Sequence, residues 1–150
     1  MKCKNITAAI ILYIAAISNP AQALEPIASI AQFEGNLETC LKDKKEPITC
    51  VNTLIKKHHE QGQSHATQIE NLTNIIKQWM GNETVVALHL VKSIDFGKVI
   101  FRRIYLIEDS AGKLMMANIT YQKTKGTLQL RDVQFTNQSE SLDKLFENNY

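Results

Sequence analysis

No Gly-x-Ser-x-Gly elbow, Walker loop, dinucleotide fingerprint or His-Glu-x-x-His pair occurs in this chain. The spacings that raise a nucleophile, cradle a phosphate or hold a hydrolytic zinc are therefore missing. Net charge is nearly missing too, since 17 basic residues face 15 acidic ones. Two of the basic residues, Lys2 and Lys4, stand at the N-terminal end. Without them the chain is formally neutral, which leaves no basic field to attract nucleic acid or an anionic membrane. Lys42, Lys44 and Lys45 are answered by Asp43 and Glu46 and read as a solvated turn. Long apolar runs are absent as well. The run from Ile6 to Ile17 falls well short of the roughly 20 residues that a bilayer span requires. Cysteine is scarce, at three, and no Cys/His set has zinc spacing. No internal repeat or low-complexity block appears, which excludes solenoid and disordered classes.

What is present begins with an export pattern. Lys2 and Lys4 precede the apolar run, Asn19-Pro20 breaks it, and Ala21-Gln22-Ala23 offers a small-x-small cleavage site. This order predicts a signal peptide over 1–23 and one domain over 24–150, periplasmic or secreted by bacterial export. With the signal removed, no transmembrane segment is expected. Cys3 lies ahead of the apolar run, where a lipoprotein cysteine does not fall. Cys40 and Cys50 remain. An even pair in an exported chain is most simply a disulfide. Two free thiols or half of a metal site are the alternatives. A bond closing so short a loop would contribute roughly 2–3 kcal/mol in the chain-entropy model.

Hydrophobic spacing predicts three helices and then four strands. Pro26 suits the first turn of a helix, and Ile30, Phe33, Leu37 and Leu41 form its apolar stripe. Pro47 starts a second helix with Ile48, Val51, Leu54, Ile55 and His58 on one face. Cys40 and Cys50 would clamp this helical hairpin. Gln61 to Ser64 reads as a loop, and Thr67 with Glu70 resembles a capping box, though a start as early as His65 also fits. Ile69, Leu72, Ile76, Trp79 and Met80 make the third stripe, closed by Gly81-Asn82.

Beyond Asn82 the period falls to two. Val86, Leu88, Leu90, Ile94 and Phe96 read as one face, with Lys92 the exception. From Val99 to Ile107 both faces are largely apolar, so this strand should be central and partly covered on each side. Met115, Ala117, Ile119 and Tyr121 share a face. In the last strand Leu128 and Leu130 are out of phase with Val133 and Phe135. A β-bulge at Arg131-Asp132 would bring all four to one side. Short turns join the strands, so they should pair antiparallel as a meander. The tail carries Leu142, Leu145 and Phe146 at helical spacing and reads as a short helix or a frayed end.

This order, with Tyr121 followed by Gly126-Thr127-Leu128-Gln129-Leu130-Arg131-Asp132-Val133-Gln134-Phe135, resembles the nuclear transport factor 2-like superfamily, most of all its small exported bacterial members. The resemblance implies an α+β fold in which a curved, cone-like antiparallel sheet wraps one long helix. Many exported members carry Trp after the turn glycine, where this chain has Thr127. The superfamily hosts hydrolases, isomerases, ligand binders and scaffolds, so the fold does not convert to an activity. None of its catalytic residues can be matched here.

Candidate chemistry is sparse. His58, His59 and His65 with Glu60 form the one cluster able to hold a metal. His58 and His59 diverge by about 100° on a helix, so a polar helix end is the plainer reading. His89 occupies a strand position where it is either a cavity acid or base or an ordinary sheet histidine. Asp95, Glu108 and Asp109 fall at turns, where carboxylates serve local hydrogen bonds. Trp79, Phe101, Tyr105, Met115 and Tyr121 form an adaptable apolar set. They suit either a ligand pocket or a core.

The expected function is a non-enzymatic exported domain that needs no cofactor. It binds a small apolar ligand or an envelope protein, and a homodimer through the sheet is a further possibility. The alternative is a small cone-fold hydrolase or isomerase with a cavity histidine or carboxylate. Export should remove 1–23, and mass spectrometry of the envelope fraction should find a chain starting at Leu24. A retained Met1 in that fraction would mean an anchor.

Overall fold

The computed structural model describes residues 25–59 and 63–138, with the side chains of all these except 63–66. Residues 1–24, where the export signal is expected, residues 60–62 of the expected loop and the tail from Ser139 lie outside the described residues. Three helices come first: α1 Ile30–Leu41, α2 Pro47–His58 and α3 Gln63–Met80. Four strands follow: β1 Val85–Phe96, β2 Ile100–Asp109, β3 Leu114–Thr124 and β4 Thr127–Thr136. They form one antiparallel sheet in the order β1-β2-β3-β4.

The α1 stripe is buried as expected, with Phe33, Leu37 and Leu41 nearly inaccessible. Its start differs from the sequence reading. Pro26 lies before the helix, because the Ser29 side chain caps it by accepting from the Gln32 N–H at 3.1 Å. Ile27 is drawn instead to the sheet, where its N–H donates to the Leu128 carbonyl at 2.9 Å. In the turn after α1, Asp43 Oδ1 accepts from the N–H groups of Lys45 and Glu46. Pro47 opens α2, and Cys40 and Cys50 are bonded across the hairpin with Cα atoms 5.2 Å apart.

The capping box expected at Thr67 and Glu70 is not formed, because α3 already begins at Gln63. Gln63 and Ser64, expected in the loop, are helical. Gly81 ends α3 with a left-handed φ of +58°, and its N–H donates to Lys77 O at 3.0 Å. The β1–β2 turn has left-handed φ at both Gly97 and Lys98, as does the β3–β4 turn at Lys125 and Gly126. At the β3–β4 turn, where Thr124 pairs with Thr127, this is the two-residue hairpin geometry that matches strand twist, whereas three residues separate the paired Phe96 and Ile100. Between β2 and β3, Asp109 Oδ1 accepts from the N–H groups of Ala111 and Lys113, and its Oδ2 pairs with Lys113 Nζ at 3.1 Å. Burial pushes the Asp109 carboxyl up, but these donors and the ammonium together hold it below the usual carboxylate range.

Directly paired residues share a sheet face, and the core lies between one face and the helices. From the sheet it takes Tyr105, Ile107, Met115, Ala117, Ile119, Tyr121, Leu130, Val133 and Phe135. Each large apolar side chain buried this way contributes about 1.5–3 kcal/mol. β2 is central, and its other face also buries Ile104 and Leu106. β1 departs from the single face read in the sequence. Register shifts between Val85 and Ala87 and between Leu90 and Lys92 each admit one extra residue. Leu88 and Leu90 therefore pair with Ile107 and Tyr105 on the core side, while Ile94 and Phe96 pair with Arg102 and Ile100 on the other. Lys92 is no exception once the shift is counted.

The expected bulge in β4 is present. Thr120 pairs with Asp132 and Tyr121 with Leu130, which leaves Arg131 as the extra residue. Leu130, Val133 and Phe135 are all buried, and Leu128 packs against them. Deleting Arg131 should preserve this inward set, because the remaining residues then alternate regularly. Deleting Gln134 should force Val133 and Phe135 to opposite faces and cost about 1.5–3 kcal/mol. Thermal melts of the two variants should rank them in that order. An equal loss in both would remove the bulge as the cause of the alternation.

Candidate functional site

Four of the five residues read as a possible pocket lie in the packed core. Trp79 and Tyr105 are nearly inaccessible, and Met115 and Tyr121 are fully so. Phe101 is partly buried and lines a shallow groove of about 390 Å³ with Ile30, Lys123 and Leu128. A second groove of about 310 Å³ lies between α2, α3 and β4, with His59 and Asp132 on its walls.

A polar group sits where α1 meets the sheet. Sequence reading did not pick out Glu34, because a lone glutamate on a helix carries no pattern. The fold sets it over β2 and β3, near Arg103, Tyr105 and Tyr121. The Tyr121 hydroxyl donates to Glu34 Oε1 at a long 3.4 Å. Phe33 packs edge-on against the Tyr121 ring, with centroids 5.7 Å apart. The buried Tyr105 hydroxyl makes no bond of good geometry, yet it lies close enough to act on the Glu34 charge.

Burial raises the Glu34 pKa above the ordinary 4.5, and the Tyr105 hydroxyl, the Arg103 guanidinium and the Tyr121 hydroxyl only partly oppose it. Both tyrosine hydroxyls are pushed well above their usual range, first by burial and then by the neighbouring carboxylate. Arg103 is held by Asp95 at 2.6 Å and stands 6.0 Å from the centroid of the Phe101 ring.

The other candidates are dispersed. Arg102, on the opposite sheet face, donates to Asn118 Oδ1 at 2.8 Å. His89 pairs with Glu108 at 3.1 Å in an exposed position. His58 Nδ1 lies 2.8 Å from the Glu25 carbonyl, and its ring packs edge-on against Phe33. His59 bridges to Leu130 at the β4 edge. Among the described residues no group of three His, Cys, Asp or Glu side chains gathers to hold a metal. No described helix is long and apolar enough to cross a membrane.

The two sheet edges differ. β4 is bridged by Ile27 at Leu128 and by His59 at Leu130. β1 pairs with β2 alone among the described strands. Of the large apolar residues that remain exposed, Val86, Leu90, Val91, Phe96, Val99 and Ile100 all lie on β1 or around its hairpin, with Leu114 nearby in β3. Comparison with protein-family models, curated proteins and solved structures finds no match.

The Glu34 assignment has a pH signature. Its raised pKa means that the folded chain binds this proton more tightly than the unfolded chain. The resulting stability is present below the ordinary carboxylate pKa and is lost as pH rises through the raised value. Glu34→Gln keeps a neutral group in place. Its melting temperature should therefore gain on that of the wild type as pH rises from 4 to about 7. A gap that stays constant across this range would refute the assignment.

Proposed function

We propose that residues 24–150 form an exported, non-enzymatic domain that receives an extended segment of an envelope protein along the open edge of β1. The observation that carries this reading is the coincidence of two features on one element. Among the described strands β1 has an unpaired outer edge, and the exposed apolar side chains of the described residues concentrate on it and its hairpin. An added strand gains main-chain hydrogen bonds from such an edge, and flanking side chains supply selectivity. An edge of this kind in a stable monomer is otherwise an aggregation hazard. The bonded Cys40–Cys50 pair is compatible with an oxidising compartment.

The core positions of Trp79, Tyr105, Met115 and Tyr121 favour a protein partner over a small apolar ligand. The cone-like curvature implied by the nuclear transport factor 2-like resemblance belongs to the same proposal, as does the cleaved signal. A second reading, an enzyme using a carboxylate on the helix-facing side of the sheet, draws on Glu34 and its raised pKa. Under that reading, Glu34→Gln abolishes activity while binding at β1 is unaffected.

The test uses Val91, which has no partner in the β2 ladder. A photo-crosslinking residue at position 91, in cells that export the protein, should give one discrete adduct. The protein so identified, once purified, should bind the wild type. Val91→Pro combined with Leu90→Lys should weaken that binding at least tenfold. Equal crosslinking from Gln129 on the far side of the sheet would sink the proposal. An adduct of twice the protein's own mass would replace the partner by a second copy.

A further inference from the structure

An antiparallel meander brings its first and third turns to the same end of the sheet. Here the Lys123 N–H donates to the Val99 carbonyl at 2.7 Å and ties the β1–β2 turn to the end of β3. Three of the exposed apolar side chains meet at this end. Phe96 is 55% exposed, Val99 47% and Ile100 39%. They adjoin, since Phe96 pairs with Ile100 and its carbonyl accepts from the Val99 N–H at 3.1 Å. Lys98 stands among them, and the neighbouring turn adds Lys123 and Lys125. All three lysines are exposed, and no ion pair among the described residues claims them. Residues 95–100 and 122–127 contain one carboxylate, Asp95, and Arg103 holds it at 2.6 Å. The opposite end has the reverse balance, with Glu83, Glu108 and Asp109 around the β2–β3 turn against Lys113. The chain as a whole carries no basic field, but the fold builds a local one.

We infer that this end of the sheet docks on an anionic bilayer surface. Phe96, Val99 and Ile100 enter the boundary between headgroups and acyl chains, and the three ammonium groups meet lipid phosphates. Binding of this kind scales with the apolar area inserted and with the attraction to anionic lipid. The tip supplies both. Its aromatic and branched side chains form the point, and the long lysine stems carry charge to the headgroups. The tip is also preformed. Gly97 and Lys98 hold left-handed φ, and the bond from Lys123 fixes the turn against β3, so insertion orders nothing new. The turn's carbonyls at Phe96 and Val99 are already bonded, which leaves it little to offer an added strand. The difference in charge between the two ends turns the strand ends toward the membrane and leaves the β1 edge free along its length. Docking stands apart from strand addition, since it uses the hairpin end and none of the edge hydrogen bonds.

Trp79 is the chain's one tryptophan and lies in the core, so Phe96→Trp adds a reporter at the tip against a silent background. Vesicles of phosphatidylcholine and phosphatidylglycerol with brominated acyl chains should quench that variant of the exported protein and leave the wild type bright. Pure phosphatidylcholine should quench neither, and added salt should weaken the binding. In the Phe96→Trp background, Val99→Asp with Ile100→Asp should abolish quenching. Lys98→Glu with Lys125→Glu keeps the apolar side chains and should lower vesicle affinity at least tenfold, which decides the matter if the aspartates unfold the chain. Val91→Pro with Leu90→Lys, which blocks the edge, should leave quenching intact, so that strand addition and docking fail separately. No quenching of the Phe96→Trp variant by the mixed vesicles would overturn the docking, as would equal quenching after the lysine reversal or by pure phosphatidylcholine. Quenching that needs envelope protein in the vesicles would assign the tip to a protein partner and overturn it too.

Discussion

The rest of the structure depends on one constraint: a four-stranded sheet must bury its apolar face, and three short helices must cover it. None of these elements is stable alone. Short helices are marginal in water, and a sheet needs a packed face. The disulfide joins α1 to α2 between Leu37 and Val51, so that Phe33, Leu37, Leu41, Val51 and Ile55 present one continuous surface. Onto it β3 sets Met115, Ala117, Ile119 and Tyr121, each fully buried. The bulge at Arg131 serves the same end. It costs roughly one ladder hydrogen bond, about 1 kcal/mol, and keeps Val133 and Phe135 inward, which is worth more.

The same covering produces the asymmetry of the edges. Ile27 and His59, which flank the α1–α2 hairpin, reach β4 and satisfy part of its outer edge. β1 lies at the far side of the sheet from those bridges. Its two register shifts and Lys92 interrupt the strand, which limits pairing with arbitrary partners. Leu90, between the two shifts, and Val91, the extra residue of the second, give the edge a local apolar character.

The polar group under α1 is a by-product of the packing that gives it its chemistry. Tyr105 and Tyr121 belong to the apolar core through their rings, and their hydroxyls must end somewhere. They end beside Glu34, whose carboxyl loses water in the process. Arg103 is on the same sheet face but is claimed by Asp95, so it offsets the burial of Glu34 only in part. A carboxyl with a raised pKa follows from this arrangement without any dedicated motif.

Much of the fold was legible in the residues. Helical stripes placed α1, α2 and α3, and the phase break between Leu130 and Val133 placed the bulge, because burial enforces periodicity wherever one face is covered. Cys40 and Cys50 were legible because they are the only two cysteines beyond the expected export signal. The start of α1 and the faces of β1 were not. Ile27 joins the sheet only because β4 passes beside it, a contact 101 residues away in sequence that no local pattern encodes. In β1 weak burial lets the register slip twice, so alternation no longer reports which side faces the helices. Glu34 could not be singled out either, since its partners lie on β2 and β3. The sequence by itself determined the elements, their order and the pairing of the cysteines. Only the tertiary structure decided which edge lacks a partner among the described strands and which carboxyl is desolvated, because both depend on what covers what.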